Sequence, residues 1–193
     1  MKACLCAITV LLSLPKAAAQ RTLVLNPVAE KKVKELPAGS WYWLAENFPT
    51  LAQAQAAADQ TSMAVEVAGK VWLFRLGSKG ALTPGGNRVA EIGPVPQITA
   101  SEYLLRINKA SGPPGARTPV HTHPGSESFY VLSGQLGQKT LHGVTYVEAG
   151  QSMMGHGPDM PMEVFSSGTS DLNALILFVL DATRPFSSPA RFK

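Results

Sequence analysis

Cysteine is nearly absent from this 193-residue chain: there are two, Cys4 and Cys6, both within the first six residues. A protein that loses that segment has no thiol, so no disulfide can staple it and no thiolate can hold a metal. Its stability must come from a buried core, and any metal site must be built from histidine, carboxylate and methionine. Charge is sparse as well. Charged residues make up 16% of the chain and the net charge is +4. The cations are scattered apart from "EKKVKE" at 30–35, which reads as a solvated segment. No basic stripe marks a nucleic-acid binder. The sequence also lacks an internal repeat, a G-x-S-x-G elbow, a phosphate loop and a dinucleotide fingerprint.

What is present begins with a leader. Residues 1–19 read as a secretory signal peptide: Lys2, an apolar run from Ala3 to Leu14, and Ala17-Ala18-Ala19 ahead of Gln20. Lys16 is unusual so near the cut, and a retained membrane anchor is the alternative, but the apolar run is short for a spanning helix. The expectation is an exported protein, periplasmic or secreted, with no stable membrane insertion once the signal is cleaved. Losing Lys2 and Lys16 takes the net charge from +4 to +2.

Residues 20–100 read as an N-terminal extension. Residues 20–40 are polar and irregular, and "SWYWLAENF" places Trp41 and Trp43 on one face of a strand. The alanine-rich "TLAQAQAAADQ" predicts a short helix over about 50–60, with Thr50 as N-cap. A hairpin follows over about 62–77, turning at Ala68-Gly69-Lys70. "SKGALTPGGN" and "IGPVPQ" read as turn-rich connectors. From 101 to 183 short β-prone runs alternate with Gly, Pro, Ser or Asp, the pattern of a sandwich or barrel. Residues 184–193 read as a tail packed loosely on that unit. The fold class expected is all-β, with a short N-terminal helix.

"PVHTHPGSESFYVLSG" at 119–134 carries the chemistry. Alternate side chains on a strand share a face, so His121 and His123 point the same way. Pro124-Gly125-Ser126 can reverse the chain and let Glu127 return its carboxylate to that side. Two imidazoles and a carboxylate suit one divalent transition metal (Fe, Mn, Cu, Ni or Zn), with coordination positions left open. Phe129 and Val131 share parity with Glu127 and are expected to wall an apolar pocket, together with Val164. A lone histidine such as His142 reads as structural. Met153, Met154, Met160 and Met162 read most simply as core filler, and Trp41, Trp43 and Trp72 as core packing.

From Gly115 through His121, His123 and Glu127 to Gly134 the pattern is G-x5-H-x-H-x3-E-x6-G. It resembles the first sequence motif of the cupin superfamily at every spacing. The resemblance implies an antiparallel β-barrel of jelly-roll type over 101–183, and a metal held by His121, His123 and Glu127. Cupins usually supply a further histidine from a second motif, and here the chain departs. One alignment puts Met153 at that position; the preferred one puts Met162 there, because Met162, Val164 and Ser166 would share a strand face. His156, in "GHGPD", could reach back from its loop as a replacement ligand, although its spacing does not fit the motif. The function implied is a metal-dependent, dioxygenase-like oxidoreductase acting on a small organic molecule, with Glu127 as base or ligand; isomerase and decarboxylase chemistries stay open. The alternative is a non-catalytic protein that captures a metal or small ligand. Pairing as a homodimer is a further expectation, and no nucleic acid is expected as a partner.

Overall fold

"LNALILFVLD" at 172–181 is apolar at nearly every position, and the fold explains why. In the computed structural model, which describes residues 21–193, this segment is the middle strand of a five-stranded sheet buried on both faces. Leu175, Leu177 and Val179 enter one core, while Ala174, Ile176, Phe178 and Leu180 enter another. The period-two rule holds; both phases are apolar because neither face meets water. The expected signal peptide lies outside the described residues.

Fourteen strands and one helix are present among the described residues. The first five strands are β1 (Val24–Val33), β2 (Trp41–Phe48), β3 (Ser62–Val67), β4 (Lys70–Gly77) and β5 (Asn87–Val95), with α1 (Leu51–Ala56) after β2. Next come β6 (Tyr103–Gly112), β7 (His121–Thr122), β8 (Gly125–Ser133) and β9 (Gln135–Thr140). The last are β10 (Gly143–Glu148), β11 (Ser152–Met154), β12 (Glu163–Ser166), β13 (Leu172–Asp181) and β14 (Ser188–Pro189). They form sheets in the orders β1-β6-β13-β8-β11, β10-β9-β12, β14-β7 and β3-β4-β2-β5. Every pairing between named strands is antiparallel. The described residues are thus all-β with one short helix.

The four-stranded sheet packs Trp41, Trp43, Trp72 and Phe74 against Leu105, Ile107 and Leu177 of the central sheet. Its tryptophans are core residues, as their spacing predicted. On the other side, Leu136, Val147 and Val164 of the three-stranded sheet close over Phe129, Val131 and Ile176. Isolated bridges, Arg117 to Phe165 and His121 to Met162, tie the rim of this second unit together.

Two segments differ from the expected reading. Residues 24–33 are not irregular: β1 runs ten residues along β6 as the edge of the central sheet. Its outer side is exposed, so the sequence stays polar, and lysines on an edge discourage pairing with another chain. β5 likewise runs through most of the "IGPVPQ" connector, to Val95, with Ala90, Ile92 and Val95 buried. The helix is shorter than expected. Thr50 caps it by accepting from the Gln53 amide at 3.3 Å, but Asp59 Oδ1 gathers the Thr61 amide at 2.9 Å and the Ser62 hydroxyl at 2.6 Å, which turns the chain into β3. The hairpin turns where expected: Ala68 and Gly69 both take positive φ, 53° and 70°, as a tight two-residue turn requires.

Candidate functional site

His121 stands on β7, locked to Met162 by reciprocal main-chain hydrogen bonds of 2.9 Å. His123 follows, its carbonyl accepting from the Asp159 amide at 2.8 Å. The chain reverses through Pro124, and Glu127 lies on β8, opposite Phe178 of β13. Gly115 and Gly134, which frame the motif, both adopt positive φ, 80° and 75°, at its two turns.

The two imidazoles face each other through Nε2, 3.1 Å apart, with ring planes at 84°. Their other nitrogens are committed. His121 Nδ1 lies 2.8 Å from the Pro119 carbonyl and His123 Nδ1 lies 2.7 Å from the Phe186 carbonyl. A carbonyl only accepts, so each Nδ1 carries the hydrogen and each neutral Nε2 carries a lone pair. Two lone pairs aimed at each other across 3.1 Å repel. The contact becomes favourable when a cation, a proton or a metal ion, sits between them.

Burial argues against the proton. It lowers His121, and it pushes His123 down to about 4, against the pull of the Phe186 carbonyl. His121 and the Arg106 guanidinium push His123 the same way. Glu127 is 1% exposed, and desolvation pushes its carboxyl up to about 8, partly offset by the Gln138 hydrogen bond. The 3.9 Å approach of Glu127 Oε2 to His123 Nε2 is therefore a contact between neutral groups at pH 7, not an ion pair. Among the described residues no group of three or more His, Cys, Asp or Glu is drawn tightly enough to count as a metal cluster. The histidine pair is tight, while the carboxylate stands off.

Gln138, on β9, is the reason the carboxylate is held. Its amide donates to Glu127 Oε1 at 2.6 Å and sits 3.5 Å from Met162 Sδ. The sequence reading missed it. A signal was available: Leu136, Gln138 and Thr140 share one buried face of β9, so the glutamine had to aim inward.

The remaining candidates sort by position. Met162, Val164 and Ser166, at alternate positions, are all buried. Met162 is fully buried beside Gln138, whereas Met153 sits opposite Phe129 on β11. His156 stacks on His142, with ring centroids 6.0 Å apart. Its buried Nδ1 has no hydrogen-bond partner. Phe129, Val131 and Val164 are packed in the core of the second unit. The open space adjoining the site is a cleft of 450 Å³ between Leu23, Leu25, Val120, His121 and Pro189. Residues 184–193, expected as a loose tail, form β14 against β7 and place Phe186 on His123.

The cupin domain family model matches residues 110–155, the stretch holding both histidines and Glu127. Over that stretch the chain is similar to the cupin domain family. Among solved structures, the chain is similar to a cupin-like protein of Thermotoga maritima at 16% identity, covering 45% of this chain and 64% of that one, TM-score 0.40. It is similar to a DMSP lyase structure at 22% identity, covering 48% of this chain and 46% of that one, TM-score 0.38. An uncharacterized conserved protein with a double-stranded β-helix domain from Klebsiella pneumoniae shares 21% identity, over 46% of this chain and 76% of that one, TM-score 0.39. The chain thus spans less than two thirds of the first two. No curated protein matches the chain. No helix among the described residues is long and apolar enough to cross a membrane.

Proposed function

We propose that this cupin is an exported metal-binding protein whose jelly-roll barrel holds one divalent transition metal between His121 Nε2, His123 Nε2 and Glu127. The observation that supports this most is the facing pair of unprotonated nitrogens at 3.1 Å. Metal–nitrogen bonds of about 2.0–2.1 Å, set between a right angle and a tetrahedral angle, separate two ligand nitrogens by about 2.9–3.4 Å. The donor set also fits: two neutral imidazoles and a carboxyl group 3.9 Å from one of them, with the Met162 thioether beside the Gln138 amide that holds that carboxyl. Carbonyl hydrogen bonds to the far nitrogen of each ring are the usual support of a metal-ligating histidine.

The reaction class favoured is a dioxygenase-like oxidation of a small organic molecule. A bound iron or copper ion would supply Lewis acidity and one-electron chemistry. The chain's own residues do the rest. Glu127 holds a proton at neutral pH and gives it up when a cation arrives, so it can act as ligand or as base. Gln138 steadies its second oxygen. Phe178 and Phe186 pack their rings at 5.0 and 4.9 Å from His123 and keep water from that imidazole. A non-catalytic binder is the second reading, favoured by the tight packing of Phe129, Val131 and Val164 where a substrate pocket was expected.

The test is cobalt(II) titration of metal-free protein at pH 7, followed by absorbance and by proton release. The reading expects a saturable d–d band with about one proton released per ion, from Glu127. Saturation without proton release would place the ion elsewhere. Oxygen uptake over a substrate panel with the iron-loaded protein separates the enzyme from the binder.

A further inference from the structure

We propose that segment 184–193 is a working part of the candidate metal site, with Phe186 as a positioning residue that sets the tautomer and the seat of His123. The inference rests on the reading of His121 and His123 as metal ligands. The segment is anchored at each end. Arg184 makes two hydrogen bonds to the Asp159 carboxylate, at 2.6 and 3.1 Å, and the Asp159 amide in turn holds the His123 carbonyl. Further along, Ser188 and Pro189 pair with Thr122 and His121, and the Ala190 amide donates to the Val120 carbonyl at 3.0 Å. Between these anchors Phe186 is pressed onto the site. Its ring centroid lies 4.9 Å from His123 and 5.1 Å from Phe178, with the Arg106 guanidinium 4.4 Å above it.

The consequence lies at one hydrogen. Phe186 supplies the carbonyl that holds the hydrogen on His123 Nδ1. Without it, His123 can carry its hydrogen on Nε2 instead, and that N–H points at the lone pair of His121 Nε2. The two rings then hydrogen-bond to each other and offer one fewer lone pair to a metal. The Phe186 carbonyl keeps the pair open by occupying the other edge of the ring, a positioning role that touches neither metal nor substrate.

The experiment reads the tautomer directly, by long-range proton–nitrogen correlation NMR on the full ¹⁵N-labelled, metal-free protein. His123 is expected as the Nδ1–H form. In a chain ended after Thr183, His123 is expected to move to the Nε2–H form and cobalt(II) affinity to fall about 10- to 100-fold. Adding a synthetic peptide of residues 184–193 is expected to restore both. Phe186→Ala keeps the carbonyl but removes the ring that seats it, and is expected to give a mixture of tautomers, with Phe186→Tyr behaving as the parent. An intact protein with His123 in the Nε2–H form would overturn the proposal. So would a shortened chain that keeps Nδ1–H, or, should that chain not fold, a Phe186→Ala protein with an unmixed tautomer. Failure of cobalt to bind the intact protein, with the tautomer change still seen, would sink the metal reading and leave the role of Phe186 standing.

Discussion

His121 Nε2 and His123 Nε2 stand 3.1 Å apart with no hydrogen between them, because main-chain carbonyls 2.8 and 2.7 Å away hold the hydrogen on the opposite nitrogen of each ring. This arrangement is unfavourable when empty of charge and favourable around a cation. Binding sites are often prepared in this way: the fold supplies the geometry, and the ligand relieves the cost of holding it.

The pH dependence of stability follows from the same burial. Folding keeps the Glu127 proton up to about 8, whereas the unfolded chain loses it near 4.5. Stability from this carboxyl is full below 4.5 and is lost as pH rises through 8. His123, pushed down from 6.5 to about 4, works oppositely: its contribution is full above 6.5 and lost as pH falls through 4, and His121 acts in the same sense. Only above 6.5 is Glu127 unopposed. Metal-free protein should therefore lose about 2 kcal/mol between pH 6.5 and 8, and Glu127→Gln should abolish the loss. Urea midpoints in the presence of a chelator measure it; an equal slope in the variant would count against the assignment.

Gln138 is predicted to tune that carboxyl. Gln138→Leu removes the hydrogen bond that favours the charged form, so Glu127 should rise further and bind metal less readily at pH 7. Cobalt affinity should fall about tenfold and recover as pH is raised. A loss that persists at high pH would point to misfolding instead.

Met162, which the preferred alignment sets where cupins usually have a histidine, is buried beside Gln138. Met162→His should tighten zinc or nickel binding, since a neutral imidazole suits those ions better than a thioether. Calorimetric titration checks this, and unchanged affinity would argue for the Met153 alignment.

Away from the site, Arg88 makes two hydrogen bonds, at 3.2 and 2.9 Å, to the carboxylate of Glu46, which is 1% exposed. Arg88→Ala strands a buried charge and should cost about 3 kcal/mol. Arg88→Ala combined with Glu46→Leu should recover most of it in chemical denaturation.

The sequence made some features legible because they are local. The pairing of His121 with His123 follows from strand alternation, the hairpin turn from two adjacent residues, and the doubly buried β13 from one apolar run. What it hid depends on distant partners. β1 looks irregular because an edge strand needs no apolar face, and its place is set by β6, some eighty residues on. Phe186 reaches His123 across 63 residues of chain, and nothing in "TRPFSSPA" announces a carbonyl aimed at an imidazole. The parity of β9 turns Gln138 inward, but its partner, Glu127 on β8, is known only from the fold.

Metal content of the purified protein, against that of His121→Ala/His123→Ala, tests the central claim most directly. One ion per chain in the parent and almost none in the double variant, with both proteins giving the same far-ultraviolet circular dichroism, is the predicted result. Equal metal in the two proteins would contradict it.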